Sequence, residues 1–256
     1  MKFYLALLIF LGGGERIHAQ EPSRLEKGNQ LYEDSRIPES ITEYEALVRE
    51  HPNVPEYHYN LGNAYFRLNV PGALGKSISA YQKAFSLNPR DPDIRFNYDF
   101  ALRRAGEQLI APGTPAGLHV LFYALSTPEL AGLQWLGFWA ALLLGAFYML
   151  NESRQSKIRP WLIGATLYWG IVAMWWGLRF SSEDRSPGVI IVQDAEVRSG
   201  PGANFPVSFK LPEGRRISKL DRKGDWVEIG VKLEGLKGWV DASALNSIKQ
   251  TRDLGE

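Results

Sequence analysis

The chain of 256 residues contains no cysteine, only four histidines and only three methionines. Without cysteine it can hold no disulfide framework, no thiolate-bound metal, no lipid on an N-terminal cysteine and no cysteine nucleophile. The histidines have no metal-ligand partner at helical or turn spacing, and no nucleophile-elbow motif accompanies them. They are His18, His51, His58 and His119. We therefore expect no catalytic residue, no metal site and no cofactor, and we interpret the chain as non-enzymatic.

An excess of charge of one sign is also lacking, since 29 Lys and Arg residues stand against 28 Asp and Glu residues. The two signs are almost even in every part of the chain, so the sequence offers no basic surface for nucleic acid. We expect no nucleic-acid partner.

Two long runs contain no charged residue at all, residues 130–150 and residues 161–178. A helix needs about 20 apolar residues to cross the bilayer core, so both runs qualify. We predict transmembrane helices at residues 130–150 and 161–180, joined by a cytoplasmic loop at residues 151–160. The alternative is a pair of buried helices in a soluble domain, but core helices are shorter and keep a polar face.

The loop between the two runs contains Arg154, Lys157 and Arg159 against one acid. The positive-inside rule places such a loop in the cytoplasm and both flanking parts on the opposite side of the membrane. The first residues agree, because Lys2 followed by an apolar stretch has the form of a secretory signal at residues 1–19. Cleavage after Ala19 and retention as an uncleaved anchor are both open.

Residues 20–109 contain an internal repeat, in which Gly28 and Gly62 are 34 residues apart. The second copy reads His58-x-x-Leu61-Gly62-x-x-Tyr65, then Ser77-x-x-x-Tyr81-x-x-Ala84 and Pro89, and the first copy has Gly28, Ser40, Tyr44 and Pro52. This pattern resembles the tetratricopeptide repeat. The resemblance implies two helix pairs, followed at residues 93–108 by a single capping helix, because no second helix follows there.

The repeat departs from the family pattern at three places. His58 stands where tryptophan is usual, Leu47 stands where alanine is usual, and three extra residues lengthen the turn at residues 69–75. We expect the fold to survive these changes and the partner interface to differ from the standard one.

The resemblance also implies a concave groove, formed by the first helix of each pair. Its aromatic, asparagine and arginine side chains suit a peptide ligand, for which an acidic end is one option. The expected groove residues are Leu25, Asn29, Tyr32, Tyr59, Asn63, Phe66, Arg67, Phe96, Phe100, Arg103 and Arg104. The alternative for each aromatic residue is packing against the next helix. Asn29 and Asn63 match asparagines that hold a terminal carboxylate in some family members, but Leu25 replaces the accompanying lysine, so that ligand is not expected.

Residues 110–129 begin as a linker rich in proline and glycine and continue into an apolar stretch at residues 118–125. This stretch is too short to cross a bilayer. It either lies at the membrane surface or packs on the hairpin.

Residues 187–248 alternate short apolar runs with turn residues, which predicts five short strands in a small barrel. The runs Val197-Arg198-Ser199-Gly200-Pro201-Gly202, Leu211-Pro212-Glu213-Gly214, Gly224-Asp225-Trp226-Val227 and Gly238-Trp239-Val240 resemble the bacterial SH3 domain. In that family such domains bind cell-wall peptides or protein segments, and the candidates for a ligand face are Phe205, Trp226 and Trp239. For Trp226 the barrel core is the favoured location, because so small a barrel needs large side chains inside. Residues 249–256 form a tail.

The predicted fold class is therefore multidomain: an all-α tetratricopeptide repeat solenoid, a two-helix transmembrane hairpin and a small all-β SH3-like barrel. This order of parts, with the runs Tyr59-Asn60-Leu61-Gly62-Asn63-Ala64-Tyr65 and Asp93-Ile94-Arg95-Phe96-Asn97, resembles the BatE family of the Bacteroides aerotolerance system. The resemblance implies a two-pass scaffold in the bacterial inner membrane, with both terminal domains in the periplasm. The implied partners are membrane lipid, the other Bat membrane proteins, which carry von Willebrand factor A domains, and indirectly a MoxR-type ATPase.

A second hypothesis is a cell-wall sensor or anchor. In this case the SH3-like domain binds peptidoglycan, and the repeats only space it from the bilayer.

Overall fold

The computed structural model describes residues 23–110, 113–182, 187–231 and 234–247. The expected signal at residues 1–19 and the expected tail at residues 249–256 lie outside these residues. The described chain forms a helical repeat segment, then two long apolar helices, then an antiparallel β-sheet domain. The predicted fold class is confirmed.

The repeat segment consists of α1 (Arg24–Glu33), α2 (Ile37–Glu50), α3 (Pro55–Leu68), α4 (Ala73–Leu87) and α5 (Pro92–Arg104). Capping residues and prolines mark the N-termini of α1, α3 and α5. Ser23 and Glu26 form a capping box at α1, and the Asp91 carboxylate accepts hydrogen bonds from the first turn of α5. Proline begins both α3 and α5, where its missing N–H leaves no helical hydrogen bond unmade.

The two repeat glycines lie where the helices of each pair cross. A Cβ atom added at Gly28 would lie 2.8 Å from the ring of Tyr44, and one added at Gly62 would lie 2.6 Å from the ring of Tyr81. The glycines therefore allow each tyrosine ring to lie flat against the facing helix. The first repeat and α3 enclose one buried core, and α4 and α5 contribute to a second.

The residues that depart from the repeat pattern are accommodated inside these cores. His58 is buried, and its ring N–H donates a 2.9 Å hydrogen bond to the Pro52 carbonyl. Burial lowers the pKa of His58, so the ring is neutral at neutral pH. Leu47 is buried in the core of the first repeat.

After the repeats, α6 (Ala116–Phe122) leads into α7 (Thr127–Leu150) and α8 (Gln155–Ser182). Both α7 and α8 are long and apolar enough to cross a membrane, and most of their side chains face outward. Ser126 and Glu129 form a capping box at the start of α7.

The connection between the two long helices is shorter than the loop expected at residues 151–160. Residues 152–154 form one 3₁₀ turn, and α8 already begins at Gln155. Its Nε2 donates a 3.3 Å hydrogen bond to the Tyr148 carbonyl near the end of α7, which satisfies an open helix terminus. Since residues 155–159 contain no helix breaker, the helix extends back into the expected loop, with Pro160 in its second turn.

The C-terminal domain is a seven-stranded antiparallel sheet with the order β3-β2-β6-β5-β4-β1-β7. The strands are β1 (Pro187–Ile190), β2 (Asp194–Arg198), β3 (Val207–Pro212), β4 (Arg216–Lys223), β5 (Trp226–Val231), β6 (Leu236–Asp241) and β7 (Leu245–Ser247). The five predicted strands do not include β3 and β7. In β3 only Leu211 is buried, and β7 has only three residues, so neither shows a clear alternating pattern.

Candidate partner-binding surfaces

A depression of about 280 Å³ lies on the concave side of the repeats, between the first helices of the two pairs. Its lining is mostly amide and phenol groups, with two carboxylates. The lining residues are Asn29, Tyr32, Glu33, Tyr44, Glu56, Asn60 and Asn63. Three of these are predicted groove residues. Glu56 and Asn60 were not predicted, although they share a helix face with Asn63 at the spacing i, i+4, i+7.

The amide oxygens of the two predicted asparagines are already used inside the protein. Asn29 Oδ1 accepts a 2.9 Å hydrogen bond from the Tyr44 hydroxyl. Asn63 Oδ1 accepts one of 2.6 Å from the Tyr81 hydroxyl and one of 3.1 Å from Asn97 Nδ2. Within the described part of the chain, Asn29 Nδ2 has no hydrogen-bond partner, whereas the Asn63 side chain also forms a hydrogen bond with the Tyr59 hydroxyl. Because an amide NH₂ group carries two N–H donors, each asparagine keeps at least one donor for a ligand.

The tyrosine hydroxyls remain protonated, and this keeps the asparagines in one orientation. Burial raises the pKa of Tyr44 to about 12 and also raises the pKa of Tyr81. Each hydroxyl donates its proton to the amide oxygen, and this leaves the amide nitrogen for other partners.

Two predicted groove arginines connect successive repeats. The Arg67 guanidinium lies 4.9 Å from the centroid of the Tyr32 ring and donates to the Tyr32 carbonyl. At the equivalent place one repeat later, the Arg104 guanidinium lies 5.2 Å from the Phe66 ring and donates to Asn69 Oδ1. These cation–π contacts and hydrogen bonds engage both arginines within the protein.

Arg103 is also paired, through a 2.9 Å contact between its guanidinium and the Asp99 carboxylate. Of the three predicted arginines, Arg103 therefore pairs with a carboxylate, whereas Arg67 and Arg104 are oriented by neutral groups and keep their positive charge.

The end of the groove carries an exposed aromatic platform on α5. Phe96 is 64% exposed and Phe100 is 48% exposed, and their rings stack with centroids 6.4 Å apart. Phe100 also meets Phe66 at 5.6 Å. Of the other predicted groove residues, Leu25 packs against the first core, and Tyr59 packs against the second core and the Tyr81 ring. Leu25 and Tyr59 therefore pack against neighbouring helices, which was the alternative to a place in the groove.

The two tryptophans of the SH3-like domain lie on the same side of the sheet, where Trp226 is half-buried and Trp239, at 8% exposure, is buried. In the sheet, Trp239 is opposite Glu228, and Trp226 is opposite Asp241. Residues paired across strands share one face, and Val227 and Val240 point the other way, into the buried core. The core location favoured for Trp226 is therefore wrong, because strand alternation turns it away from the core while Val227 fills that position.

Arg198 connects the third candidate to the same face. It is paired with Trp239 across the strands, and its guanidinium donates to the Phe205 carbonyl at 2.7 Å. Phe205 is 38% exposed and covers Gly200, where an added Cβ would lie 2.5 Å from the ring. Lys223 Nζ lies 5.4 Å from the centroid of the Trp239 ring. Since Trp239 is buried and Trp226 is only half-buried, Trp226 is the more accessible tryptophan.

Two family comparisons match this architecture. The family described as "TPR repeat" matches residues 28–69, and the family described as "Bacterial SH3 domain" matches residues 194–246. Both are binding domains without catalytic activity. The chain thus combines tetratricopeptide repeats and a bacterial SH3 domain with two helices of membrane-spanning length.

Among curated proteins, the matches fall on the SH3 part. The chain is 39% identical over 59 residues to a probable cell wall amidase LytH of Staphylococcus epidermidis, which covers 23% of this chain and 20% of that protein. It is 36% identical over 63 residues to a probable cell wall amidase LytH of Staphylococcus aureus, covering 25% and 21% respectively. The chain spans about a fifth of the length of these relatives.

Proposed function

We propose that this protein is a non-enzymatic scaffold, anchored in the bacterial inner membrane, that binds partner proteins through its repeat groove. The observation that carries this proposal is that the first helices present amide donors on Asn29 and Asn63 in a depression and an exposed aromatic platform of Phe96 and Phe100. Amide donors recognise the carbonyls of an extended peptide, and aromatic rings recognise an apolar side chain.

The charges in the groove favour an uncharged ligand segment over an acidic one. Glu33 and Glu56 line the depression, and neither Arg67 nor Arg104 belongs to its lining. A carboxylate placed in the depression would lie near two like charges. We therefore propose an extended segment with at least one large apolar side chain and without an acidic end.

The hairpin and α6 would hold this groove at the membrane surface. Trp175 Nε1 of α8 donates a 3.2 Å hydrogen bond to the Phe122 carbonyl, and the Arg179 guanidinium lies 4.1 Å from the centroid of the Tyr123 ring. These contacts fix α6 at the level of the tryptophans near the end of α8. Leu118 and Leu121 of α6 are 60% and 64% exposed, so we propose that α6 lies in the interface of the outer leaflet.

The order of the domains supports membership of the BatE family. We propose that the partners are Bat membrane proteins with von Willebrand factor A domains, with an indirect connection to a MoxR-type ATPase on the cytoplasmic side. The role in aerotolerance would then be that of an assembly factor, since the chain has no cysteine for redox chemistry.

The test compares two aromatic variants in the full-length protein. Phe96→Ala removes half of the groove platform, and Trp226→Ala removes the half-buried, more accessible tryptophan of the SH3 face, so each serves as control for the other. After mild solubilisation, Phe96→Ala should reduce co-purification of the von Willebrand factor A proteins, while Trp226→Ala should leave it unchanged. Equal recovery of these proteins with both variants would contradict the groove as the binding surface.

A second candidate function is wall binding through the SH3 face, which the similarity to probable cell wall amidases favours. The same two variants test it by sedimentation of the solubilised protein with purified peptidoglycan. Wall binding predicts that wild type and Phe96→Ala sediment with the wall, while Trp226→Ala stays in solution. No sedimentation of the wild-type protein would remove this candidate.

A further inference from the structure

The repeat stack ends on a helix that lacks its partner. In a repeat solenoid the apolar face of the last unit must be covered by a capping element. α5 is the first helix of a third repeat. The chain after it adds Leu109 and Tyr123 to the same core, but α6, with seven residues, is about half as long as the second helices α2 and α4. Tyr98 and Leu102 of α5 are nevertheless almost completely buried.

The SH3 domain supplies the missing cover. Val189 of β1 is fully buried in the same cluster as Ile78 of α4 and Leu102 of α5. The turn at Gly214, between β3 and β4, approaches the same helices. Its φ is +86°, and an added Cβ there would lie 2.6 Å from Ala105 and 2.9 Å from Ile78.

The three extra residues in the second repeat lie at this interface. Gly72 has a φ of +87°, and an added Cβ there would lie 2.7 Å from the Ile191 carbonyl oxygen. A Cβ at Gly75 would overlap the Ile190 carbonyl, and the Gly75 N–H donates a 3.1 Å hydrogen bond to the Glu213 carboxylate. The longer turn thus forms a backbone surface that the strand after α8 can approach closely.

A buried ion pair fixes the position of the two domains. The Glu107 side chain, after α5, is only 6% exposed and lies between Arg215 and Arg216 of the SH3 domain. Its carboxylate accepts hydrogen bonds from the Arg216 backbone N–H at 3.0 Å and from the Arg216 guanidinium. The same guanidinium donates to the Gln108 carbonyl at 2.9 Å. Removal of one partner while the domains stay docked would leave the other charge desolvated and uncompensated.

We propose that the SH3 domain is the closing unit of the repeat stack: its β4–β1–β7 edge replaces the missing helix, and the two domains unfold as one cooperative unit. This docking leaves the tryptophan face open, because that face is built on β2, β5 and β6. The groove and the tryptophan face are therefore held at a fixed orientation to each other. A depression of about 220 Å³ at the domain boundary, with Phe66 and Arg104 on one side and Glu213 on the other, forms the end of the groove.

The test measures amide hydrogen exchange in the full-length, detergent-solubilised protein. Glu107→Gln weakens the ion pair without removing side-chain volume, and exchange in α4 and α5 should accelerate by at least about tenfold because the docked state is destabilised. Glu39→Gln, which removes the exposed Arg36–Glu39 pair, is the matched control and should leave exchange in α4 and α5 unchanged.

A second variant keeps the test decisive if Glu107→Gln disturbs folding. Ile229→Ala creates a cavity in the SH3 core, in a cluster that contains no repeat residue. If the SH3 domain closes the stack, α4 and α5 lose protection even though the mutation lies outside them. If α4 and α5 keep wild-type exchange while the SH3 domain loosens or unfolds, the proposal is overturned. Wild-type exchange in both helices with Glu107→Gln would overturn it as well.

Discussion

The Tyr81 hydroxyl donates a 2.6 Å hydrogen bond to Asn63 Oδ1, and the Asn97 amide donates to the same oxygen. Together they connect both helices of the second repeat to the capping helix. Tyr81→Phe should lower the free energy of unfolding by about 1 kcal/mol, since one hydrogen bond is lost. Asn97→Ala removes the second donor. Because the double variant leaves the oxygen without a protein donor, its loss, measured by denaturant titration, should exceed the sum of the two single losses. Strict additivity would contradict the shared acceptor.

The close approach of Gly62 to the Tyr81 ring predicts a large effect of a small substitution. Gly62→Ala should destabilise the repeats by about 2 kcal/mol, because the new methyl group overlaps a ring packed on a facing helix. Gly117 of α6 has nothing near its Cβ position, so Gly117→Ala should change stability by less than about 1 kcal/mol. Thermal unfolding of both variants gives the comparison, and similar losses would argue against the crossing.

His58 predicts a pH dependence of stability. Its pKa is lowered by burial from the ordinary 6.5, so the unfolded chain binds a proton more readily than the folded chain. The contribution of neutral His58 is present above pH 6.5 and is lost as the pH falls through the lowered pKa of the folded state. His58→Gln keeps a donor for the Pro52 carbonyl but does not titrate. Between about pH 7.5 and about pH 5 the wild type should therefore lose more stability than the variant. A parallel decline of both proteins would count against this role.

The proposed interfacial position of α6 can be measured directly because the chain has no native cysteine. A single cysteine at Leu121, labelled with a small fluorophore in proteoliposomes, should be strongly quenched by lipids brominated near the headgroup. A cysteine at Phe96, exposed on the groove platform, is the control and should be quenched weakly. Equal quenching at both positions would place α6 away from the bilayer.

The orientation of the hairpin predicts which cysteines a membrane-impermeant reagent can reach in intact spheroplasts. Ser208→Cys in β3 should react, because the SH3 domain is expected outside the cytoplasm. Ser153→Cys, between α7 and α8, should react only after the membrane is permeabilised. The reverse pattern would invert the topology and remove the proposed access to the cell wall.

The helix pairs, the apolar helices and most of the sheet could be predicted because their signals are local. A glycine in the first helix and a tyrosine in the second define each helix crossing, and a charge-free run of sufficient length defines each apolar helix. The five predicted strands show alternation, whereas β3 and β7 are held by their neighbours and show little pattern of their own. α8 begins before its charge-free run, because the charged residues at 157 and 159 are compatible with a helix although they were assigned to the loop.

The sequence predicted which residues line the groove, but it did not predict which of their atoms are available to a ligand. Asn29 and Asn63 do line a depression, yet which amide atom faces a ligand depends on the hydroxyls of Tyr44 and Tyr81, 15 and 18 residues away. The predicted arginines were expected to face a ligand, but Arg67 and Arg104 bind groups of the preceding repeat and Arg103 pairs with Asp99 of its own helix. Trp226 was assigned to the core because of its size, but its place in the strand alternation decides its side.

The amino-acid sequence by itself determined that this chain is a repeat segment, a pair of membrane-length helices and an SH3-like domain, because spacing, hydropathy and turn chemistry act between neighbours along the chain. Only the tertiary structure decided that the third part covers the end of the first. This docking depends on the ion pair between Glu107 and Arg216, which are 109 residues apart, and on Val189, which packs in a core formed by α4 and α5. Contacts over such separations leave no periodic trace in either partner, since each residue taken alone is compatible with a solvent-exposed or a buried position.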